Sequence, residues 1–101
     1  YFVPSIELRD ANNPDRSEKE IDFACVRDGE FIIGEVKQSV GLFRSKDFDD
    51  LLHVSKKVKP DRIVVSCMQG TPNRVVNDGI KMLRRELEYL EVSVEWVVPF
   101  L

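Results

Sequence analysis

The dipeptide Asp28-Gly29 stands between two β-rich runs, residues 20–27 and 30–38, and it constrains this chain more than any other feature. Asp and Gly tolerate the positive φ angles of a type I′ turn, so two residues suffice to join antiparallel strands. A loop of that length sets the register, because Arg27 then faces Glu30 and every further pair follows. Val26 faces Phe31, Ala24 faces Ile33, Asp22 faces Glu35, and Glu20 faces Lys37. Opposed residues share a face, with Cβ atoms about 4.5–5.5 Å apart. One face therefore runs from apolar (Val26, Phe31, Ala24, Ile33) to charged (Glu20, Asp22, Glu35, Lys37). The other carries Ile21, Phe23, Cys25, Ile32, Gly34 and Val36. A sheet that is apolar on both sides is expected to be covered on both, by helices.

The remaining elements follow from periodicity. Phe2, Ile6 and Leu8 alternate with polar positions and predict a first strand over residues 2–9, followed by a loop of turn formers over 10–17. After Gly41 a helix capped by Ser45 is expected, with Phe48, Leu51, Leu52, Ser55 and Val58 on one stripe and Pro60 ending it. Its early acids (Asp47, Asp49, Asp50) and late lysines (Lys56, Lys57, Lys59) suit the helix dipole. Residues 63–68 read as a buried strand. Thr71-Pro72 opens a second helix with Val76, Ile80, Leu83, Leu87 and Leu90 on its stripe, and Val92, Val94, Trp96 and Val98 form a last strand. The order βββαβαβ predicts an α/β sandwich, a mixed five-stranded sheet flanked by helices, built as one domain over residues 1–101.

Composition excludes several classes. No apolar run approaches the ~18 residues of a membrane span. With one histidine, His53, and two cysteines, Cys25 and Cys67, outside any C-x-x-C pairing, a zinc site is ruled out. Both cysteines lie in apolar stretches, as free buried thiols of a reducing compartment do, so a cytoplasmic location is expected. The net charge is −3, with no basic field of the kind that marks many nucleic-acid binders. The acidic excess sits in residues 1–50, where 7 Lys and Arg stand against 12 Asp and Glu. The chain begins at Tyr1 rather than Met, which reads as a piece of a larger protein with further domains.

Two carboxylates opposed on neighbouring strands repel unless a cation separates them. A hard divalent ion resolves the conflict, since Mg²⁺ takes one or two carboxylates together with waters and substrate phosphate. Asp22, followed after twelve residues by Glu35-Val36-Lys37 on the next strand, resembles the PD-(D/E)XK nuclease superfamily, the restriction-endonuclease-like fold. The similarity extends over nearly the whole order of elements.

The resemblance implies a Mg²⁺-dependent endonuclease that hydrolyses DNA phosphodiester bonds and leaves a 5′ phosphate, with Mn²⁺ able to substitute. By it, Asp22, Glu35 and the backbone carbonyl of Val36 are metal ligands, and Lys37 is the catalytic lysine. Gln38, Arg44 and Lys46 are candidate contacts to nucleic acid, although a regular strand would turn Gln38 away from the Lys37 face. Two departures stand out. Ile21 precedes Asp22 where the family motif has proline. The family draws a further acid from a helix before its first strand, and this chain starts at or near that strand: either the helix lies upstream of Tyr1, or Glu20 or Glu7 takes the place of its acid. A rival expectation is the same fold retained as a nucleic-acid-binding or assembly module without catalysis. The apolar stripe of the last helix could equally serve a homodimer.

Overall fold

The computed structural model describes residues 2–10 and 13–97, those before Asp22 by their backbone course alone. Asp28 and Gly29 take φ angles of 51° and 82°. The strands they join, β2 (Asn13–Arg27) and β3 (Glu30–Ser39), pair antiparallel from Arg27↔Glu30 to Phe23↔Gly34, in the register that a two-residue turn dictates. Strand β1 (Phe2–Asp10) pairs antiparallel with β2. The expected loop over residues 10–17 is a correction: Asn13 already pairs with Asp10, and Ser17 with Arg9. Register shifts on both sides of Arg9 take up the turn-forming residues without ending the ladder.

Beyond β3 the chain alternates helix and strand. Helix α1 (Ser45–Val58) leads to β4 (Arg62–Gln69), and α2 (Arg74–Glu86) leads to β5 (Ser93–Trp96). The strands lie in sequence order, with β4 parallel to β3 and β5 parallel to β4, so the chain is α/β with a mixed sheet and two helices. Val98, expected in the last strand, lies outside the described residues. No described helix is long and apolar enough to cross a membrane.

Ala24, Ile33, Ile63 and Val94 are successive partners from β2 to β5 and so share one face. All four are buried in one cluster with Phe48, Leu51 and Val54 of α1 and Val76, Ile80 and Leu83 of α2. Both helices therefore pack on this face. On the opposite face Cys25, Ile32 and Val64 are half-buried and Val36 is exposed. The expectation of helices on both faces is thus corrected for the described residues. The reason is topological: two right-handed crossovers that step the same way, β3 to β4 to β5, deliver their helices to the same side. Cys25 is accordingly half-buried, and only Cys67 is fully enclosed. The α2 stripe is also spent inside the chain, since Val76, Ile80, Leu83 and Leu87 all lie in the core.

The helix starts correct two further details. Arg44, not Ser45, holds the N-cap position of α1: its N–H donates to Asp47 Oδ2 at 2.8 Å, and the Asp47 N–H donates to the Arg44 carbonyl at 3.0 Å. An acid at the third helical position satisfies the cap without help from a cap side chain. Helix α2 opens at Arg74 rather than at Thr71-Pro72, because Asn73 Oδ1 accepts the Val76 N–H at 3.0 Å. Gly79, an unfavourable residue for a helix interior, lies against the Phe48 ring where α2 crosses α1.

Candidate active site

Alternation along β3 turns Glu35 and Lys37 toward the helices and Val36 toward the open face. Glu35 is 7% exposed, a burial that a carboxylate tolerates only with a partner. Lys37 supplies it: Nζ lies 2.9 Å from Glu35 Oε1. The same ammonium lies 3.4 Å from Asp47 Oδ1, at the first turn of α1.

Asp22 reaches this place by a departure from the ladder. Continued pairing would carry the strand register through Asp22↔Glu35 to Glu20↔Lys37, but the β2–β3 ladder closes at Phe23↔Gly34. Beyond it the Val36 N–H donates to Asp22 Oδ2 at 2.8 Å. A side-chain carboxylate thus takes the donor that the next backbone pair would have used. Asp22 is held at the point where the two strands part.

The electrostatics are those of crowded acids around one cation. Burial raises the Glu35 pKa above its ordinary value; the Lys37 hydrogen bond opposes that shift, while the charges of Asp22 and Asp47 add to it. For Lys37, burial acts to lower the pKa, but the hydrogen bond and charge of Glu35, with those of Asp47, outweigh it and raise the net value. At neutral pH Lys37 is a firmly held cation.

The other expected residues stand apart. Gln38 is exposed, on the far side of the strand from Lys37. The Arg44 guanidinium donates to the carbonyls of Gly41 at 2.6 Å and Phe43 at 3.1 Å, so it braces the loop before α1. Lys46 Nζ lies 2.8 Å from Asp50 Oδ2 one turn along the helix, which raises its pKa. Glu20 is the backbone partner of Glu7 in the β1–β2 ladder, which sets the two expected substitute acids opposite each other. The side chains of Glu7 and Glu20 lie outside the described residues.

Asp47 joins the site unannounced by the Asp…Glu-x-Lys spacing, which ends ten residues earlier. Its signal was an acid in the first turn of a helix that begins only five residues after a Glu-x-Lys strand. So short a connection returns the helix start to the end of the strand it left.

Among the described residues no group of three or more His, Cys, Asp or Glu side chains is arranged to hold a metal ion. Asp22 and Glu35 are nevertheless a donor set that suits Mg²⁺, which takes one or two carboxylates and completes its shell with water and phosphate. Burial is the main cause of the raised Glu35 pKa, and the charges of Asp22 and Asp47 that add to it are the part a divalent ion would relieve. Compared with known proteins, the chain matches no family model and no curated sequence.

Proposed function

We propose that this chain is a Mg²⁺-dependent phosphodiesterase of the restriction-endonuclease-like fold, an endonuclease unit acting on DNA as part of a larger cytoplasmic protein. The observation that supports it best is the Lys37 ammonium 2.9 Å from the buried carboxylate of Glu35, with Asp22 fixed to the intervening Val36 N–H. A buried carboxylate paired with a lysine at a strand end, with two half-buried acids close by, is costly to a small fold, and such strain concentrates where chemistry is done.

In this reading Asp22 and Glu35, with the Val36 carbonyl, hold the Mg²⁺, and Glu20 is a further candidate ligand. The ion, when bound, supplies Lewis-acid stabilisation of phosphate charge. Lys37 orients the attacking water by hydrogen bonding and offsets the negative charge that develops on the phosphoryl oxygens. Glu35, paired with Lys37, keeps that cation at the reacting centre. Lys46, exposed on α1 though paired with Asp50, is the candidate contact to a phosphate backbone, and Gln38 could reach one only from the far side of the strand from Lys37.

The test is nicking of supercoiled plasmid DNA with Mg²⁺ or Mn²⁺, set against Lys37→Ala. Cutting that requires the metal and is lost in Lys37→Ala with the fold retained supports the reading; metal-dependent cutting that survives the substitution refutes it. A second reading, the same fold as a nucleic-acid-binding or assembly module without catalysis, is favoured by the net charge of −3, which gives a catalytic metal site no evident basic track for DNA beside it. Titration calorimetry with Mn²⁺ against Asp22→Asn separates the two, since the module predicts the same absence of heat from both proteins.

A further inference from the structure

We propose that Asp47 is a positioning residue of this site, holding the Lys37 ammonium against Glu35 and tying it to the first turn of α1. What Lys37 does once held rests on the nuclease reading; how it is held does not.

A lysine side chain has four rotatable bonds and loses considerable freedom when its ammonium is fixed. A single carboxylate on the same strand leaves the ammonium free to pivot about one contact. Asp47 removes that freedom with a second contact from another element, and its two oxygens do separate jobs. Oδ2 accepts the Arg44 N–H at 2.8 Å, while Oδ1 lies 3.4 Å from Lys37 Nζ. The Asp47 N–H closes the ring by donating to the Arg44 carbonyl at 3.0 Å. This carboxylate cannot swing away without opening the helix start. Arg44 extends the brace, its guanidinium gripping the carbonyls of Gly41 and Phe43 in the loop that joins β3 to α1. The side chain of Lys37 is 26% exposed, so it keeps some access to a substrate while two acids hold its ammonium.

The decisive variant is Asp47→Asn. Its amide oxygen can still accept the Arg44 N–H, which preserves the cap, but its NH₂ group presents a donor to Lys37. Asp47→Glu restores a carboxylate at the third helical position, where glutamate is a usual capping acid. Two readouts apply to the whole chain. The first is the ¹⁵N-edited NMR signal of the Lys37 ammonium, assigned by its loss in Lys37→Ala. It is expected to be protected from exchange in the unmodified chain, lost in Asp47→Asn and regained in Asp47→Glu. The second is plasmid-nicking kinetics, with kcat reduced about 10–100-fold in Asp47→Asn, KM unchanged, and recovery in Asp47→Glu. Should Asp47→Asn fail to fold by circular dichroism, Asp47→Ser, short enough to leave Lys37 untouched, goes through the same measurements. A protected ammonium in Asp47→Asn overturns the proposal. So does an unchanged kcat in that variant when Lys37→Ala has abolished cutting. If the unmodified chain does not cut DNA, the nuclease reading falls, and the ammonium signal alone still decides whether Asp47 holds Lys37.

Discussion

Replacing Gly79 with alanine ought to stabilise a helix, and in this chain it is expected to do the opposite. Alanine exceeds glycine by about 1 kcal/mol in helix propensity. A Cβ at position 79, however, would sit 2.5 Å from Cδ1 and Cδ2 of Phe48, and closer still to Cγ. Carbon atoms in contact prefer about 3.5–4.0 Å, so the ring or the helix must retreat by about 1 Å. The ring has little room, because Phe48 is 1% exposed and the Phe43 ring stands 5.7 Å from it, centroid to centroid. Overpacking of this kind costs about 1–3 kcal/mol, and a ring enclosed on both sides belongs in the upper half of that range. The net loss is then about 1–2 kcal/mol, or a fall in Tm of roughly 4–16 °C for a domain of this size. Phe48→Leu frees the space and reverses the sign: in that background Gly79→Ala becomes neutral or favourable by up to about 1 kcal/mol. A double-mutant cycle by urea denaturation measures the coupling. Because Phe48 follows Asp47, Gly79→Ala should also disturb the Lys37 contact. A Gly79→Ala protein at least as stable as its parent, or an equal loss in both backgrounds, would refute the reasoning.

Three further outcomes follow from the same packing and charges. Burial, opposed by the Lys37 hydrogen bond and reinforced by Asp22 and Asp47, raises the Glu35 pKa on folding. The folded chain therefore binds that proton more tightly than the unfolded one, and the associated stability, complete below the unfolded value near 4.5, is lost as pH rises through the folded value. Glu35→Gln lacks this dependence, so its Tm advantage over the parent should widen between pH 4 and pH 8 in calorimetry, and a constant difference would count against it. Ser55 is fully buried on α1, and its hydroxyl has no hydrogen-bond partner among the described residues. Ser55→Ala is expected to stabilise the chain by about 1 kcal/mol in chemical denaturation, and destabilisation would show that the hydroxyl is satisfied. On the open face, a Cβ at Gly34 would meet the Val64 carbonyl oxygen at 2.5 Å and the Phe23 ring closer still. Since a backbone oxygen in a parallel ladder cannot move aside, Gly34→Ala should cost about 3 kcal/mol or more, read from the urea midpoint.

What the sequence made legible is what local rules govern. A two-residue turn with positive φ at Asp28 and Gly29 admits one register, and from it followed the placement of Glu35 and Lys37 on one face with Ala24 and Ile33. The positions that escaped are those decided by competition between local rules and the fold. Turn formers at residues 13–17 spell a loop by composition, yet pairing with β1 overrides them. Asp22 was expected opposite Glu35 in a regular ladder, but its carboxylate captures the Val36 N–H instead, an event invisible to a pattern of period two. Apolar residues on both faces of the hairpin implied two covering layers. The direction in which the crossovers step, not the composition of β2 and β3, decides where the helices go.

The location of the cluster has a cause of its own. Strand β3 meets an antiparallel neighbour on one side and a parallel one on the other. The antiparallel side needs only a tight turn, so it brings Asp22 near at a separation of thirteen residues. The parallel side demands a crossover, and the connection to α1 is so short that the helix must start above the C-terminal end of the strand it leaves. Helix N-termini favour acids, through the macrodipole and through the unpaired N–H groups of the first turn. An acid at position 47 is therefore selected for the helix before any chemistry is considered, and the Lys37 ammonium lies within 3.4 Å of it. Three acids and a lysine converge because the strand at the change from antiparallel to parallel pairing receives side chains from both kinds of connection. The same convergence adds to a cost that burial begins: each acid is well placed for its own element, while burial raises the Glu35 pKa and the charges of Asp22 and Asp47 raise it further. A chain selected for stability alone would have relieved that crowding with a glutamine at position 35.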